Sequence, residues 1–270
     1  MTLRNYVELS FTISEKTESP MSIEKKLEKF EKTHELDTAV TLSGLRFRAN
    51  FYKTINGPAA VLRRVETVMP EMAQFDLPQV LYDIIDMHKG LVLVTGPTGS
   101  GKSTTLACMI DRINSNKSCR IITVEDPIEF SQKNIKSIIN QREVGVDTKS
   151  YANALKASLR EAPDVILVGE IRARETMEAA LELSNTGHLA LSTLHANNAG
   201  QAIERVINMF PQEMHKQLLL DLSLNVRGII SQRLVRSKDG KRCAALEILI
   251  MTPHIQDLIL KGDIDEIKVA

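Results

Sequence analysis

The sequence is poor in the residues that mark secreted, zinc-binding and membrane-spanning proteins. It has no tryptophan, its aromatic residues make up only 4% of the chain, and its three cysteines are scattered without a C-x-x-C pair. Such cysteine usage is typical of a reducing compartment and argues against a structural zinc site. No apolar run approaches the roughly 20 residues that a membrane span needs. Arg4 and Glu8 interrupt the first apolar residues, so the amino terminus lacks the core of a signal peptide. We expect a cytoplasmic protein.

The chain also lacks net charge. Its 34 basic and 34 acidic residues cancel, so no overall electrostatic field predicts nucleic acid as a partner. Hydrophobic residues make up 43% of the 270 positions, which is ordinary for a globular protein. This length and composition suffice for one large domain or two modest ones.

The most informative stretch is a glycine-rich turn between an apolar run and an apolar helix pattern. The run Leu91–Val94 predicts a buried strand, and Gly96–Ser103 fits G-x-x-x-x-G-K-[ST] without a mismatch. In this setting the backbone amides of the turn and the helix N-terminus are expected to bind phosphates. Lys102 then reaches the β- and γ-phosphates, and the Ser103 hydroxyl ligates Mg²⁺. The predicted phosphate-binding residues are Gly96, Pro97, Thr98, Gly99, Ser100, Gly101, Lys102 and Ser103. We interpret the turn as a nucleoside triphosphate site.

The chain before this turn has a different pattern from the chain after it. Residues 3–13 alternate loosely as in a strand, residues 22–30 carry apolar residues at helical spacing, and a β-meander is expected around 43–65. An irregular stretch between two prolines follows. We therefore place one domain at residues 1–70 and a second at residues 76–270.

In the second domain, helical and strand patterns alternate, which predicts a mostly parallel sheet covered by helices on both faces. The predicted strands are 91–95, 120–124, 164–168 and 188–193. The predicted helices are 78–88, 102–114, 150–161, 174–186, 198–208 and 212–230. A hairpin around residues 237–240 joins two further strands, and a last helix covers about 252–261.

Polar loops follow the predicted strands on the side where a parallel sheet binds ligands. They are Glu125–Glu129, Gly169–Arg172 and Leu194–Asn197. Hydrolysis of a γ-phosphate needs a group that orients or deprotonates water, a carboxylate on the metal side and a polar sensor. These loops are where we expect those groups.

The candidates for the first role are Glu129 and Glu125, and the sequence leaves the choice between them open. Glu170 is the candidate for the metal side, because a glycine stands where an aspartate usually ends the second acidic strand. His195 lies past the carboxyl end of its strand and is the candidate sensor, whereas we interpret His188 as structural.

Arginines recur with a period of two in the first domain. The pleat predicted for residues 44–53 places Arg46, Arg48 and Asn50 on one face and apolar residues on the other, and Arg63 lies on the following strand. Two interpretations stay open. The arginines are either a solvated face, or a face turned toward phosphates, including those of a neighbouring subunit.

Four segments together resemble the secretion-type P-loop ATPases. They are residues 96–104, 123–130, 159–172 and 186–195. More narrowly, the chain is similar to the PilT/PilU family of type IV pilus retraction ATPases, and it leans toward the PilU members. Residues 139–144 and Ser231–Val235 also fit that branch.

The resemblance implies a small PAS-like α+β domain followed by a RecA-like α/β motor domain. It also implies an ATP-hydrolysing, Mg²⁺-dependent motor that powers pilus retraction and twitching motility. Such a motor is cytoplasmic and peripheral to the inner membrane. The expected partners are further copies in a homo-hexamer, or another PilT-like ATPase in a mixed ring, and the inner-membrane platform protein of the pilus, with no nucleic acid.

The resemblance assigns roles to matching residues. Thr104 would join Lys102 and Ser103 in binding phosphate and Mg²⁺. Glu129 would be the general base, Glu170 would act at the metal, and His195 would sense the γ-phosphate. The residues matching the nucleotide-facing arginines of the family are Arg46, Arg48 and Arg63.

Some features depart from the family. Ala173 stands where the family usually has aspartate, His254–Gly262 matches the C-terminal retraction helix only in part, and both ends are short, so we expect both domains to be incomplete. These departures keep an alternative open, an accessory or degenerate subunit of a PilT-like motor. A nucleic-acid translocase on the same core is the other alternative, against which the neutral charge argues.

Overall fold

The computed structural model describes residues 20–42, 45–64, 72–75, 77–238, 240 and 242–268. The chain divides into two compact units, Met1–Val68 and Met69–Ala270. The strand predicted at residues 3–13 and the turn at residues 43–44 lie outside the described residues.

The first unit is a helix packed on a β-meander. Helix α1 (Pro20–Thr33) precedes strands β1 (Glu35–Leu42), β2 (Leu45–Thr54) and β3 (Gly57–Arg64), which form an antiparallel sheet in the order β1-β2-β3. Its core consists of Phe30, Leu36, Val40, Ala49 and Phe51, with Phe47 packed against it. The two-residue alternation along β2 explains this core, because it buries every second side chain.

The second unit is built on a twisted α/β sheet. Among the described residues, seven strands follow the order β10-β9-β4-β8-β7-β5-β6. Every pairing is parallel except the β9–β10 hairpin. The strands are β4 (Gly90–Thr95), β5 (Arg120–Glu125), β6 (Ile138–Glu143), β7 (Val165–Val168), β8 (Leu189–Leu194), β9 (Val226–Arg236) and β10 (Arg242–Ile250). The predicted mostly parallel α/β sheet is confirmed.

Helices cover both faces of this sheet. They are α2 (Gln79–Ile85), α3 (Lys102–Asn116), α4 (Tyr151–Ser158), α5 (Arg174–Asn185), α6 (Ala199–Ile207), α7 (His215–Asn225) and α8 (Pro253–Lys261). Short 3₁₀ turns cover Met72–Phe75, Gln212–Met214 and Ile264–Lys268. None of the helices in the described residues is long and apolar enough to cross a membrane.

Strand β4 shows how the sheet separates two cores. Leu91 and Leu93 pack with α4 to α8 on one face, whereas Val92 and Val94 pack with α2 and α3 on the other. All six residues of β4 are buried. A central parallel strand has no solvated face, which is why its sequence is a continuous apolar run rather than an alternating one.

Two sequence-based assignments differ from the structure. The helix predicted at 212–230 ends at Asn225, and residues 226–230 begin β9 instead. A short apolar run does not distinguish helix from strand by periodicity. Here residues 226–230 form a strand because they pair with the edge of β4. A Cβ on Gly228 would lie 3.2 Å from Ile84 Cδ1, so the strand passes close to α2. Strand β6 was not predicted, because four of its six residues are polar and leave little apolar signal.

Candidate nucleotide site

The glycine-rich turn connects β4 to α3 at the carboxyl edge of the sheet. Gly96, Gly99 and Gly101 have φ angles of 147°, 77° and 88°, which L-residues with a Cβ rarely adopt. Gly101 is the N-cap of α3, and the helix begins at Lys102. Because the first turn of a helix has no intrahelical acceptors for its N–H groups, the turn offers backbone donors to an anion.

Lys102 is folded over this turn. Its side chain is only 8% exposed, and its Nζ donates hydrogen bonds of 2.9 Å to the carbonyl oxygens of Gly96 and Pro97. Burial lowers the pKa of Lys102, although the charges of Glu170 and Glu129 act in the opposite direction. The lysine is therefore held beside the loop and within reach of two carboxylates.

The order of strands in the sheet brings the predicted loops together. Across the sheet the strands lie in the order β4-β8-β7-β5. The phosphate-binding turn is therefore next to the His195 loop, which is followed by the Glu170 loop and the Glu125–Glu129 loop. These strands are far apart along the chain, so this neighbourhood is a property of the topology. The candidate residues of the second unit thus share one edge of the sheet, as the sequence analysis expected.

Glu170 lies at the centre of this edge. Its Oε2 is 2.7 Å from Nη2 of Arg172, and its Oε1 is 3.1 Å from Nε2 of His195. Burial raises the pKa of Glu170, but the hydrogen bond and charge of Arg172, with smaller contributions from His195 and Lys102, outweigh it, and the net pKa is lowered. Glu170 is therefore ionised at neutral pH.

His195 is neutral at the same pH. Burial and the charge of Lys102 lower its pKa below the usual 6.5, despite the opposing effect of Glu170. Its Nε2 lies 3.1 Å from Glu170 Oε1, close enough for a hydrogen bond in the neutral tautomer that carries its proton on Nε2. Two further contacts fix the loop after His195, since the Asn198 side chain accepts from Gln201 N and Glu247 Oε1 accepts from Ala199 N at 3.0 Å.

The two candidate bases differ in their surroundings. Glu125 is half-buried, and its Oε1 accepts hydrogen bonds from Thr123 Oγ1 at 2.6 Å and Gln141 Nε2 at 3.2 Å. Burial raises the pKa of Glu125. Glu129 is exposed, and its charge acts on Lys102. Glu129 is thus the carboxylate better placed to contact water, and Glu125 holds the loop to its neighbours.

The missing aspartate at position 169 has a steric explanation. A Cβ at Gly169 would lie 3.0 Å from Tyr151 Oη, 3.2 Å from Glu125 Cα and 3.3 Å from the Val124 carbonyl oxygen. Burial raises the pKa of Tyr151, and the surrounding carboxylates add to the effect. Tyr151 therefore stays a neutral phenol beside the acidic loops. The sequence assigned no role to Tyr151, Thr123 or Gln141, because Tyr151 begins α4 and Gln141 lies on β6, and only the order of the strands brings them to this edge.

The residues of this edge fit a nucleotide with Mg²⁺. Ser103 is in the first turn of α3 and partly exposed, and Glu170 supplies an ionised carboxylate. A hydroxyl and a carboxylate together with phosphate oxygens are the donors that Mg²⁺ prefers. In addition, Ser100 Oγ is buried in the turn without a hydrogen-bond partner among the described residues.

The predicted arginines belong to the other unit. Arg48 and Arg63 stand directly opposite each other on β2 and β3, and both are exposed. Arg46 lies opposite Thr41 on β1. Since the P-loop is in the second unit and these arginines are in the first, their contact with nucleotide stays a prediction.

Two further residues acquire structural explanations. His188 Nδ1 is 2.9 Å from the carbonyl oxygen of Leu183, close to the end of α5, which agrees with the structural interpretation of His188. Ala173 is the N-cap residue of α5 and provides no side-chain hydrogen bond there. The aspartate usual in related sequences would cap this helix.

Comparison with known proteins gives the chain its family. Residues 18–262 match the family of type II/IV secretion system proteins. The chain belongs to this family. The type IV pilus ATPase PilU of Pseudomonas aeruginosa is 48% identical over 241 residues, which cover 88% of this chain and 63% of PilU. The retraction ATPase PilT of the same organism is 42% identical over 248 residues, covering 92% of this chain and 72% of PilT.

A solved structure within this secretion family agrees. The crystal structure of the retraction motor PilT with bound ADP matches with a TM-score of 0.87 and 47% identity, covering 91% of this chain and 72% of that chain. These matches confirm the resemblance to the PilT/PilU retraction ATPases. The chain spans somewhat less than two thirds of the first curated relatives, 63% of PilU and 64% of a twitching motility protein of Neisseria gonorrhoeae.

Proposed function

We propose that this chain binds and hydrolyses ATP as part of a motor that powers type IV pilus retraction. The observation that carries the proposal is the convergence of Lys102, Glu170 and His195 on one edge of the sheet, with Glu129 close enough to influence Lys102. The similarity to PilU and PilT supports the assignment to pilus retraction.

Binding would begin at the phosphate-binding turn. The amides between Gly96 and Thr104 donate to the phosphate oxygens, and the positive end of α3 adds to the attraction. Lys102 Nζ turns from the carbonyl oxygens of Gly96 and Pro97 toward the β- and γ-phosphates. A cation held by weaker, neutral acceptors is ready to exchange them for a charged one.

Ser103 and Glu170 are the residues that would hold Mg²⁺. When bound, the ion neutralises negative charge that develops on the phosphate oxygens. Arg172 and His195 each contact one oxygen of Glu170, so they fix the orientation of its carboxylate. A lowered pKa keeps this carboxylate ionised over the whole physiological range.

Glu129 would accept the proton of the attacking water. The water oxygen forms a bond to the γ-phosphorus while the bond to the β-γ bridging oxygen breaks, and ADP and phosphate result. His195, whose Nε2 contacts Glu170, would report whether a γ-phosphate is present. A neutral imidazole carries a single ring N–H, so sensing would require this N–H to donate to the γ-phosphate in place of Glu170.

The first unit would complete the site. Arg48 and Arg63 are like charges directly opposite each other, an arrangement that destabilises a sheet by itself. An anion between them relieves that repulsion, which favours the phosphate-facing interpretation, with Arg46 on the same strand. A homo-hexamer, or a mixed ring with another PilT-like ATPase, would bring these arginines to the phosphates of a neighbouring subunit. The ring would dock on the inner-membrane platform protein of the pilus.

The decisive experiment compares two carboxylates of one loop. In the full chain with Mg²⁺ and ATP, Glu129→Gln should keep nucleotide affinity but lower turnover by about 10²–10⁴-fold, since an amide orients water but cannot take its proton. Glu125→Gln is the matched control and should keep turnover, because its Oε1 acts as a hydrogen-bond acceptor that the amide oxygen replaces. The reverse outcome would place the base at Glu125.

A second candidate function is an accessory subunit that binds ATP and assembles with an active PilT-like motor. Ala173, which leaves α5 without a side-chain cap, favours it. Turnover measured for the chain alone and after mixing with a PilT-like motor separates the two. Absence of turnover in the chain alone, with turnover in the mixture above that of the PilT-like motor alone, would support the accessory role.

A further inference from the structure

Strand β9 extends beyond the end of β4, still paired with β10, and runs beside the phosphate-binding turn. Its pairing with β4 ends where Thr95 meets Ser231, but the strand continues to Arg236. The first residue past the pairing is Gln232, whose side chain is only 3% exposed. The polar end of this side chain is therefore next to the turn and shielded from water.

Gln232 connects the turn to the helix that follows it. Its Nε2 donates a hydrogen bond of 2.8 Å to the carbonyl oxygen of Ser100. Its Oε1 accepts a hydrogen bond of 2.8 Å from Thr105 Oγ1. One buried amide thus bridges the last part of the turn and the first turn of α3, and both of its polar atoms have partners.

The same residue helps to explain two of the glycines. A Cβ on Gly96 would lie 2.3 Å from the carbonyl oxygen of Gln232, and a Cβ on Gly101 would lie 2.8 Å from its Nε2. Gly96 is therefore required by the close approach of the β9 backbone as well as by its positive φ angle, whereas Gly101 meets the flexible end of the Gln232 side chain. The turn therefore packs closely against Gln232.

The other side-chain support of the turn comes from Lys102, which donates to Gly96 and Pro97. In the proposed function that lysine leaves those carbonyl oxygens for the phosphates. Residues 97–99 at the tip of the turn are exposed. Gln232 contacts Ser100, whereas Lys102 contacts Gly96 and Pro97. Because the two contacts share no atoms, we expect the Gln232 contact to persist when Lys102 moves.

We propose that Gln232 is a positioning residue that holds the phosphate-binding turn in its nucleotide-binding conformation. The proposal rests on the nucleotide site described above. If the turn adopts its nucleotide-binding conformation for only a fraction of the time, the apparent Kd equals the intrinsic Kd divided by that fraction. Gln232 therefore acts on nucleotide affinity and on KM rather than on the chemical step.

The test uses Gln232→Met in the full chain, because methionine has a similar length and no hydrogen-bonding amide. Hydrogen exchange of the amides at residues 99–102 without nucleotide should become faster. The Kd for ADP and the KM for ATP should rise about tenfold, as expected for leaving a buried group without its partner, while kcat changes less. Gln217→Met, at an exposed position on α7, is the matched control and should leave all three unchanged.

Thr105→Val removes one of the two hydrogen bonds and serves as the second variant. It should weaken ADP binding by less than Gln232→Met, and the double variant should be no weaker than Gln232→Met alone, because both act through the same amide. If Gln232→Met fails to fold, a rise in Kd and faster exchange in Thr105→Val support the proposal, and wild-type values overturn it.

Normal exchange at the turn and a wild-type Kd in Gln232→Met would overturn the inference while leaving the nucleotide site intact. Failure of the wild-type chain to bind ADP overturns both the proposed function and the role of Gln232 in binding. The exchange experiment on the free protein then shows separately whether the hydrogen-bond bridge exists.

Discussion

The two units place their charged residues in opposite ways. In the second unit, Lys102, Glu170 and His195 are buried or partly buried and contact neighbouring polar groups. In the first unit, Arg48 and Arg63 are exposed and stand opposite a like charge. We expect the first arrangement to bind nucleotide, and we expect the second to gain stability when an anion lies between the two arginines. The comparison predicts a unit that binds nucleotide and a unit that promotes its hydrolysis.

The largest expected effect is on the binding unit. Lys102→Ala should abolish ATP binding or hydrolysis, because it removes the charge that spans two phosphates, and the fold should remain because alanine is favourable in a first helical turn. The loss is measured by nucleotide binding and by the rate of phosphate release. Lys117→Ala at the other end of α3, where the lysine contacts Ile85 O and Asp86, is the control. Undiminished turnover in Lys102→Ala would exclude the nucleotide site.

The next effect concerns the arginines. Arg48→Ala with Arg63→Ala should lower turnover by roughly 10³-fold, the contribution of an arginine that stabilises the transferring phosphate, while ADP affinity changes little. Lys53→Ala, a charge removal at the end of the same strand, should leave turnover unchanged. Normal hydrolysis by the arginine double variant would show that these residues are a solvated face.

The next prediction concerns how the stability of the second unit depends on pH through His195. Since the pKa of His195 is lowered, the folded state binds a proton there less readily than the unfolded state, so acid costs stability below the unfolded pKa of about 6.5. The free energy of unfolding, measured in urea, should therefore be unaffected by His195 above pH 6.5 and fall at lower pH. His195→Gln should remove that fall. An inflection above pH 7 that disappears in His195→Gln would contradict the assigned direction.

The smallest effect is on stability. Ala173→Asp should raise the free energy of unfolding by about 0.5–2 kcal/mol, because aspartate caps α5 and its charge is favourable at a helix N-terminus. Urea unfolding measures this change. Ala173→Asn separates the two causes, since it caps without charge. No gain from either variant would mean that the N-terminus of α5 does not need a side-chain cap.

Much of the binding site could be predicted because its signal is local. The buried strand, the turn at Gly96–Ser103 and the helix that follows are consecutive, and their glycines need backbone angles that few other residues adopt. Local patterns left the choice between Glu125 and Glu129 open, and only the resemblance to the family predicted Glu129 as the base. Both follow the same strand, and only the contacts of Thr123 and Gln141 with Glu125 distinguish them.

The amino-acid sequence by itself determined the α/β class, the phosphate-binding turn and the candidate residues Glu170 and His195, since each depends on a short pattern of residue types. Only the tertiary structure decided that residues 226–230 are strand, that Tyr151 and Glu125 crowd a side chain at 169, and that Gln232 contacts the turn. These outcomes depend on which strands lie side by side. Residues more than a hundred positions apart, such as Ser100 and Gln232, become hydrogen-bond partners through that order.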